Sequence, residues 1–274
     1  MNKSYFVIEH LETALPKWAM LEYKHLVHNL MNVYSCPIEV VFTSVSAEQV
    51  EFQRMFEEIA CMYDHFEKHT QSQPFGLAIS FPDLKKSVSL SSLSAIDYIH
   101  KECHFLSKKD SSQSPVVVIL DPLAEEELTP IPVSPEETTP SEKNSFFVFG
   151  GILGDHPMNG RTFEELTKTF LHYKDTHNSV PFDLHYKHLG KLQMTTDTAV
   201  LVTAAICIDK FSLNSISYID EPRIVLSSVE QVKMKGFRYL SSIHKHDERF
   251  SQTVSSALFP NGLVDLLKED YTIA

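Results

Sequence analysis

The chain is poor in glycine, cysteine and tryptophan. Of its 274 residues only 8 are glycine, 4 are cysteine and 1 is tryptophan. Cys36, Cys61, Cys103 and Cys207 are scattered without a C-x-x-C pair, so a disulfide framework is not expected. Free thiols in a reducing compartment are, and the expected location is the cytoplasm. No apolar run approaches about 18 residues and no export leader is visible, so no membrane span is expected. Basic residues are outnumbered, with Lys+Arg 24 against Asp+Glu 36 and a formal net charge of -12. That balance disfavours a broad nucleic-acid-binding face and suits a basic partner, such as an Arg/Lys-rich protein tail. The 14 histidines include His185-x-x-His188 and His244-x-His246, but no cysteine or carboxylate stands at site-like spacing. A metal site is therefore not expected. G-x-G-x-x-G, G-K-[ST] and G-x-S-x-G are all missing, which removes the dinucleotide fold, the P-loop and the hydrolase elbow.

What is present is ordinary globular material, with 43% hydrophobic and 22% charged residues. YFVIEH (5–10), IEVVFTSV (38–45), PVVVILDP (115–122) and SFFVFGG (145–151) predict strands. A helix is expected from Pro16 onward, with Trp18, Leu21, Leu26 and Leu30 as its apolar stripe. A second is expected over 47–69, with Val50, Met55, Ile59 and Met62 on one side. TFEELTKTFLHY predicts another, with Thr162 as N-cap and Glu165 completing a capping box. TTDTAVLVTAAICIDK reads as a helix of small and apolar residues, and 89–106 as a Ser/Leu-rich helical candidate. Residues 125–144, rich in Pro, Glu, Ser and Thr, read as a solvated loop, and 174–190 as polar and loop-like. SISYIDEPRIVL holds one or two strands, and the last residues form a short helix. Continuous apolar strands between helices predict an α/β protein with a mostly parallel sheet and helices on both faces. A single domain spanning 1–274 is expected.

Ligands in such folds sit at the carboxyl ends of strands, where Asp121-Pro122 and Gly150-Gly151 fall. In FFVFGGILGDHP three glycines fall within five positions of a glycine-poor chain. Such clustering means positive φ angles or close approach to a ligand, so the loop is either a tight strand-to-helix turn or a backbone cradle. In QMTTDTAV the polar run Thr195–Thr198 precedes a helix, which it caps, with a possible ligand contact from the Met194-Thr195 backbone. Glu9, His10 and Glu12 close the first strand, and surface charge is the plain alternative for them. Cys207, within an apolar helix, reads as core rather than nucleophile.

Taken in order, YFVIEHLE, WAMLEY, VVVILDPLAEEELTP, FFVFGGILGDHP, QMTTDTAVLVT and IDEPRI resemble a branch of the SPOUT methyltransferases. Characterised members of that branch are eukaryotic protein arginine methyltransferases acting on a ribosomal protein of the small subunit. The resemblance spans about residues 5–240. It implies a C-terminal trefoil knot and S-adenosylmethionine as cofactor, bent between three segments. Leu120, Asp121 and Pro122 match the first segment. Phe149, Gly150, Gly151, Ile152, Gly154 and Asp155 match the second. Gln193, Met194, Thr195, Thr198 and Ala199 match the third. Arg238 and Tyr239, in MKGFRY where relatives carry M-P-F-R-Y, are implied to close over the pocket. Leu123 stands where relatives often carry a basic residue. Extra length against compact members lies near 69–112, 129–143 and 172–189.

An arginine acceptor is a cation with a delocalised lone pair, so its enzyme must fix the planar fork and help a proton leave. Carboxylates do both through bidentate bonds. Glu9 and Asp155 are expected in that role, with Asp197 as a third candidate and His10 and His156 as relays. A basic ribosomal protein is the expected partner, direct RNA binding is less expected, and a monomer is favoured over a homodimer. The alternatives are an RNA methyltransferase, or a non-catalytic cofactor-binding factor of ribosome assembly.

Overall fold

A computed structural model describes residues 3–46, 49–63, 66–70, 76–81, 85–109, 114–130, 143–154, 157–177, 180–242 and 256–272. Among these residues eight strands form one sheet: β1 (Ser4–His10), β2 (Ile38–Thr43), β3 (Glu67–Thr70), β4 (Gly76–Phe81), β5 (Lys86–Ser91), β6 (Val116–Leu120), β7 (Ser145–Gly151) and β8 (Asp183–Lys187). Their order is β3-β4-β5-β2-β1-β7-β6-β8. Every pairing from β5 to β8 is parallel, and β3 and β4 attach antiparallel at one edge. The order changes direction at β1, with β2 on one side and β7 on the other.

Alternation along the strands makes two cores. Phe6, Ile8, Val40, Phe42, Val118, Leu120, Phe147 and Phe149 face one way. They are covered by α1 (Lys17–Val33), α2 (Val50–Cys61) and α5 (Thr196–Cys207). Tyr5, Val7, Val41, Val117, Ile119, Phe146 and Val148 face the other way, under α3 (Ala95–Lys109) and α4 (Lys168–Thr176). The fold is thus α/β, a mostly parallel sheet with helices on both faces. Beyond α5 the chain forms two small antiparallel pairs, β9 (Tyr218–Asp220) with β12 (Arg238–Leu240) and β10 (Arg223–Val225) with β11 (Gln231–Lys233). It ends in α6 (Leu263–Thr272), whose Leu263 and Leu267 join a third cluster that includes Trp18 of α1.

Several expectations are corrected. The helix expected over 47–69 stops at Cys61, and Glu67–Thr70 is strand β3. Met55 and Ile59 are buried, whereas Val50 and Met62, at its two ends, are exposed. Lys86–Ser91, overlapping the helical candidate 89–106, is strand β5, and α3 starts only at Ala95. The polar stretch read as a loop contains β8, an edge strand whose last four residues are half-buried. Thr162 is not a cap: helix already runs from Arg161, Thr162–Thr167 are wound as a π-helical turn into α4, and Glu165 pairs with Arg161 at 2.8 Å.

Candidate active site

The carboxyl ends of β6 and β7 open into a cleft of about 850 Å³, counted to its open mouth. Three loops wall it: 120–123 after β6, 149–154 at the end of β7, and 189–196 leading into α5. A fourth wall, 158–162, comes from the start of the helical turn before α4.

The glycines of the β7 loop are there for close packing, since none of Gly150, Gly151 and Gly154 is among the positive-φ residues. A Cβ on Gly151 would overlap the Tyr23 hydroxyl and lie 3.0 Å from the Glu9 carbonyl. One on Gly154 would overlap Gln193 Nε2 and lie 2.7 Å from the Phe237 ring. Gly150 faces the cleft, where a Cβ would sit 3.1 Å from Ile152 Cδ1.

Two carboxylates, Asp121 buried and Glu12 half-buried, hold these loops. Asp121 Oδ1 accepts from the Leu123 amide at 2.8 Å and Oδ2 from the Thr167 hydroxyl at 2.5 Å, tying the β6 loop to the helix beyond it. Glu12 Oε1 accepts from the Leu153 amide and from Arg161, each at 3.0 Å. Of Glu9, His10 and Glu12, it is therefore Glu12 whose side chain bonds to the glycine loop.

Leu120, Asp121, Pro122, Phe149, Gly150, Ile152, Gly154, Gln193, Met194 and Ala199 line the cleft. Gly151 and Thr198 are not among its walls, and Thr195 faces a neighbouring cavity. Asp155 and His156 lie outside the described residues. Arg161, Asn159 and Gly190 also line the cleft; a strand-end rule finds the neighbouring loops but not these positions.

Glu9, expected at the pocket mouth, is not among the cleft walls. Its side chain lies on the Tyr5 and Val7 face, which is also the face of its register partner Gly150, but turns toward β2 and α3. There it accepts from the Thr43 hydroxyl at 2.7 Å, the Ser44 hydroxyl at 2.5 Å and the Ala95 amide at the start of α3. Burial raises its pKa, and those three donors work against the shift. His10 is also structural. Its Nε2 lies 3.1 Å from the Ala14 carbonyl, which only accepts, so Nε2 carries the proton and Nδ1 accepts from Tyr23 at 3.2 Å. Burial lowers its pKa, so it sits neutral in this pocket of protein.

Asp197 is fully buried at the start of α5. Its Oδ2 lies 2.6 Å from His25 Nδ1, and Oδ1 accepts from the Thr195 hydroxyl at 2.6 Å and the Thr198 amide at 2.8 Å. Arg238 does not cover the cleft: it grips Asp220 in a fork at 2.6 and 2.9 Å and stacks on Tyr218 at 4.6 Å. Tyr239 is buried behind it, against Phe259. The tail reaches the site through Phe237, since the Arg238 amide donates to the Gln193 carbonyl at 2.8 Å. Phe237 belongs to a second cavity, with Trp18, Glu22, Thr195 and Met234, that meets the first at Leu153 and Gly154.

Among the described residues no three His, Cys, Asp or Glu side chains converge to hold a metal ion. Nor is any helix among them long and apolar enough to cross a membrane.

The family model for SFM1-like protein arginine N-methyltransferases matches residues 5–74 and 58–273. The chain belongs to this family. A relative within it, protein arginine N-methyltransferase SFM1 of Saccharomyces cerevisiae, is 29% identical over 267 residues, covering 97% of this chain and 94% of the yeast protein. The fold matches crystal structures of the yeast arginine methyltransferase SFM1. The complex with SAM has a TM-score of 0.62 at 24% identity, covering 99% of this chain and 92% of that one. The complex with SAH has a TM-score of 0.61 at 23% identity, covering 96% and 94%. This member of the SFM1-like family therefore keeps the family's sheet and helices while its residues have diverged.

Proposed function

We propose that the chain is an S-adenosylmethionine-dependent protein arginine N-methyltransferase whose substrate is a basic ribosomal protein of the small subunit. The observation that carries this reading is the cleft: a glycine-built cradle at the carboxyl ends of β6 and β7, in a chain of the SFM1-like family. The walls suit the cofactor. Gly150 leaves backbone bare for a close ligand, and Leu120, Phe149, Met194 and Ala199 offer an apolar slot for a purine. Asn159, Gln193 and Arg161 supply polar groups for a ribose and an amino-acid end. When bound, the cofactor supplies a sulfonium methyl for in-line displacement, which needs positioning more than covalent help.

The residues of this chain do that positioning. Glu12 fixes the Leu153 amide and Arg161 together, and Asp121 fixes the β6 loop. A net charge of -12 favours a basic protein substrate. We place the reaction in the cytoplasm, carried out by a monomer with the knotted threading that the SPOUT resemblance implies.

The test is transfer of labelled methyl from S-adenosylmethionine into ribosomes from cells lacking this protein, followed by separation of protein from RNA. Label in one small-subunit protein, held at arginine, is the expected result. Label in the RNA would overturn the reading.

A further inference from the structure

Beside the cofactor cleft lies the second cavity, about 1020 Å³ counted to its open mouth. It is walled by the start of α1 (Pro16 to Glu22), by Leu153 and Gly154, by Thr195, and by Met234, Phe237 and Leu266 of the tail. We propose that this cavity seats the acceptor arginine, with Glu22 as the carboxylate that receives the guanidinium and Trp18 and Phe237 as its aromatic walls. The inference rests on the arginine methyltransferase reading above and adds to it the substrate site.

Position comes first. Leu153 and Gly154 line both cavities, so a side chain entering one ends beside the contents of the other. Charge is the second argument. Glu22 is 5% exposed, and its oxygens accept from Trp18 Nε1 at 2.6 Å and the Thr196 amide at 3.1 Å, both neutral donors. Its charged neighbour is another carboxylate, Asp197, which is matched by His25 at 2.6 Å. The cavity's lysine, Lys17, turns outward to Glu269 at 2.8 Å, with 75% of its side chain exposed. A buried carboxylate facing a second one, with neutral donors only, is costly to fold. Burial, and then Asp197, push its pKa well above the ordinary carboxylate range. Strain of this kind is kept where an incoming charge relieves it.

A guanidinium is the cation that fits. Its planar fork pairs with a carboxylate edge while its faces stack on aromatic rings, which an ammonium cannot do as well. Phe237 closes the cavity from the tail, held there by the Arg238–Gln193 backbone bond and by Gly236, whose positive φ of 80° turns the chain inward. Glu22 was not among the carboxylates picked out in the sequence, because its neighbours Thr195 and Thr196 are some 174 positions away.

Trp18 is the single tryptophan of the chain, so the cavity carries its own reporter. The protein, saturated with S-adenosylhomocysteine, is titrated with a short glycine/lysine peptide holding one arginine, and with the same peptide holding citrulline. The arginine peptide should change Trp18 emission saturably. Citrulline in the peptide, or Glu22→Gln in the protein, should weaken binding about tenfold or more, with S-adenosylhomocysteine affinity unchanged. Phe237→Leu should raise KM for the arginine peptide more than it lowers kcat, which a merely structural role for the cavity would not do. It also serves as the second variant if Glu22→Gln does not fold. Equal binding of both peptides by wild-type protein, or of the arginine peptide by wild type and Glu22→Gln, would overturn the arginine seat and leave the methyltransferase reading standing. No binding of S-adenosylhomocysteine by wild-type protein would overturn both.

Discussion

Gly154 stands at the wall between the two cavities with no room for a methyl group. Its neighbours there are Gln193 and an aromatic ring that is itself wedged in place. Gly154→Ala is expected to destabilise the fold by about 1–3 kcal/mol and to weaken S-adenosylhomocysteine binding, read by thermal melting and calorimetry. Glu22 makes a prediction of opposite sign. A carboxyl whose folded pKa is raised contributes stability that is full below its unfolded pKa and is lost as pH rises through the folded value. Glu22→Gln keeps the neutral shape and removes that loss. The variant should therefore melt above wild type at pH 8, and the gap should shrink toward pH 4. A gap independent of pH would show that Glu22 is not held neutral by burial.

At the scale of elements, the side chains that join one element to the next decide more than propensity does. Glu9 on β1 reaches the first amide of α3 and the turn after β2, across 86 and 35 positions. Glu9→Ala would leave buried donors unpaired and is expected to cost roughly 2–4 kcal/mol. Cofactor affinity of the folded variant should be unchanged, measured by calorimetry. Lys86, buried on β5, plays a matching part at the C-terminal end of α1, donating to the carbonyls of Leu30, Met31 and Tyr34. Central strands were legible because they are continuous apolar runs buried on both faces. The edge strand β8, DLHYK, was not, because it pairs on one side only and keeps polar residues. The side on which Glu9 points was legible in principle, since it shares the odd positions of β1 with Tyr5 and Val7.

The whole molecule sets exposure and field. None of the four thiols is in a disulfide; Cys61 is exposed, Cys36 half-buried, and Cys103 and Cys207 buried with their thiols pushed up to about 12. A thiol-reactive dye should label Cys61 at once, Cys36 more slowly, and the other two only on unfolding. If the substrate is basic, the formal charge of -12 should make KM rise with salt while kcat holds. What the sequence alone determined was the fold class and the cleft, because apolar periodicity and scarce glycines are local signals that survive without partners. Three-dimensional folding decided what the carboxylates touch. Glu12, Glu22 and Asp197 meet their partners across 141, 174 and 172 positions, and burial raises the Glu22 pKa only once those distant segments close around it.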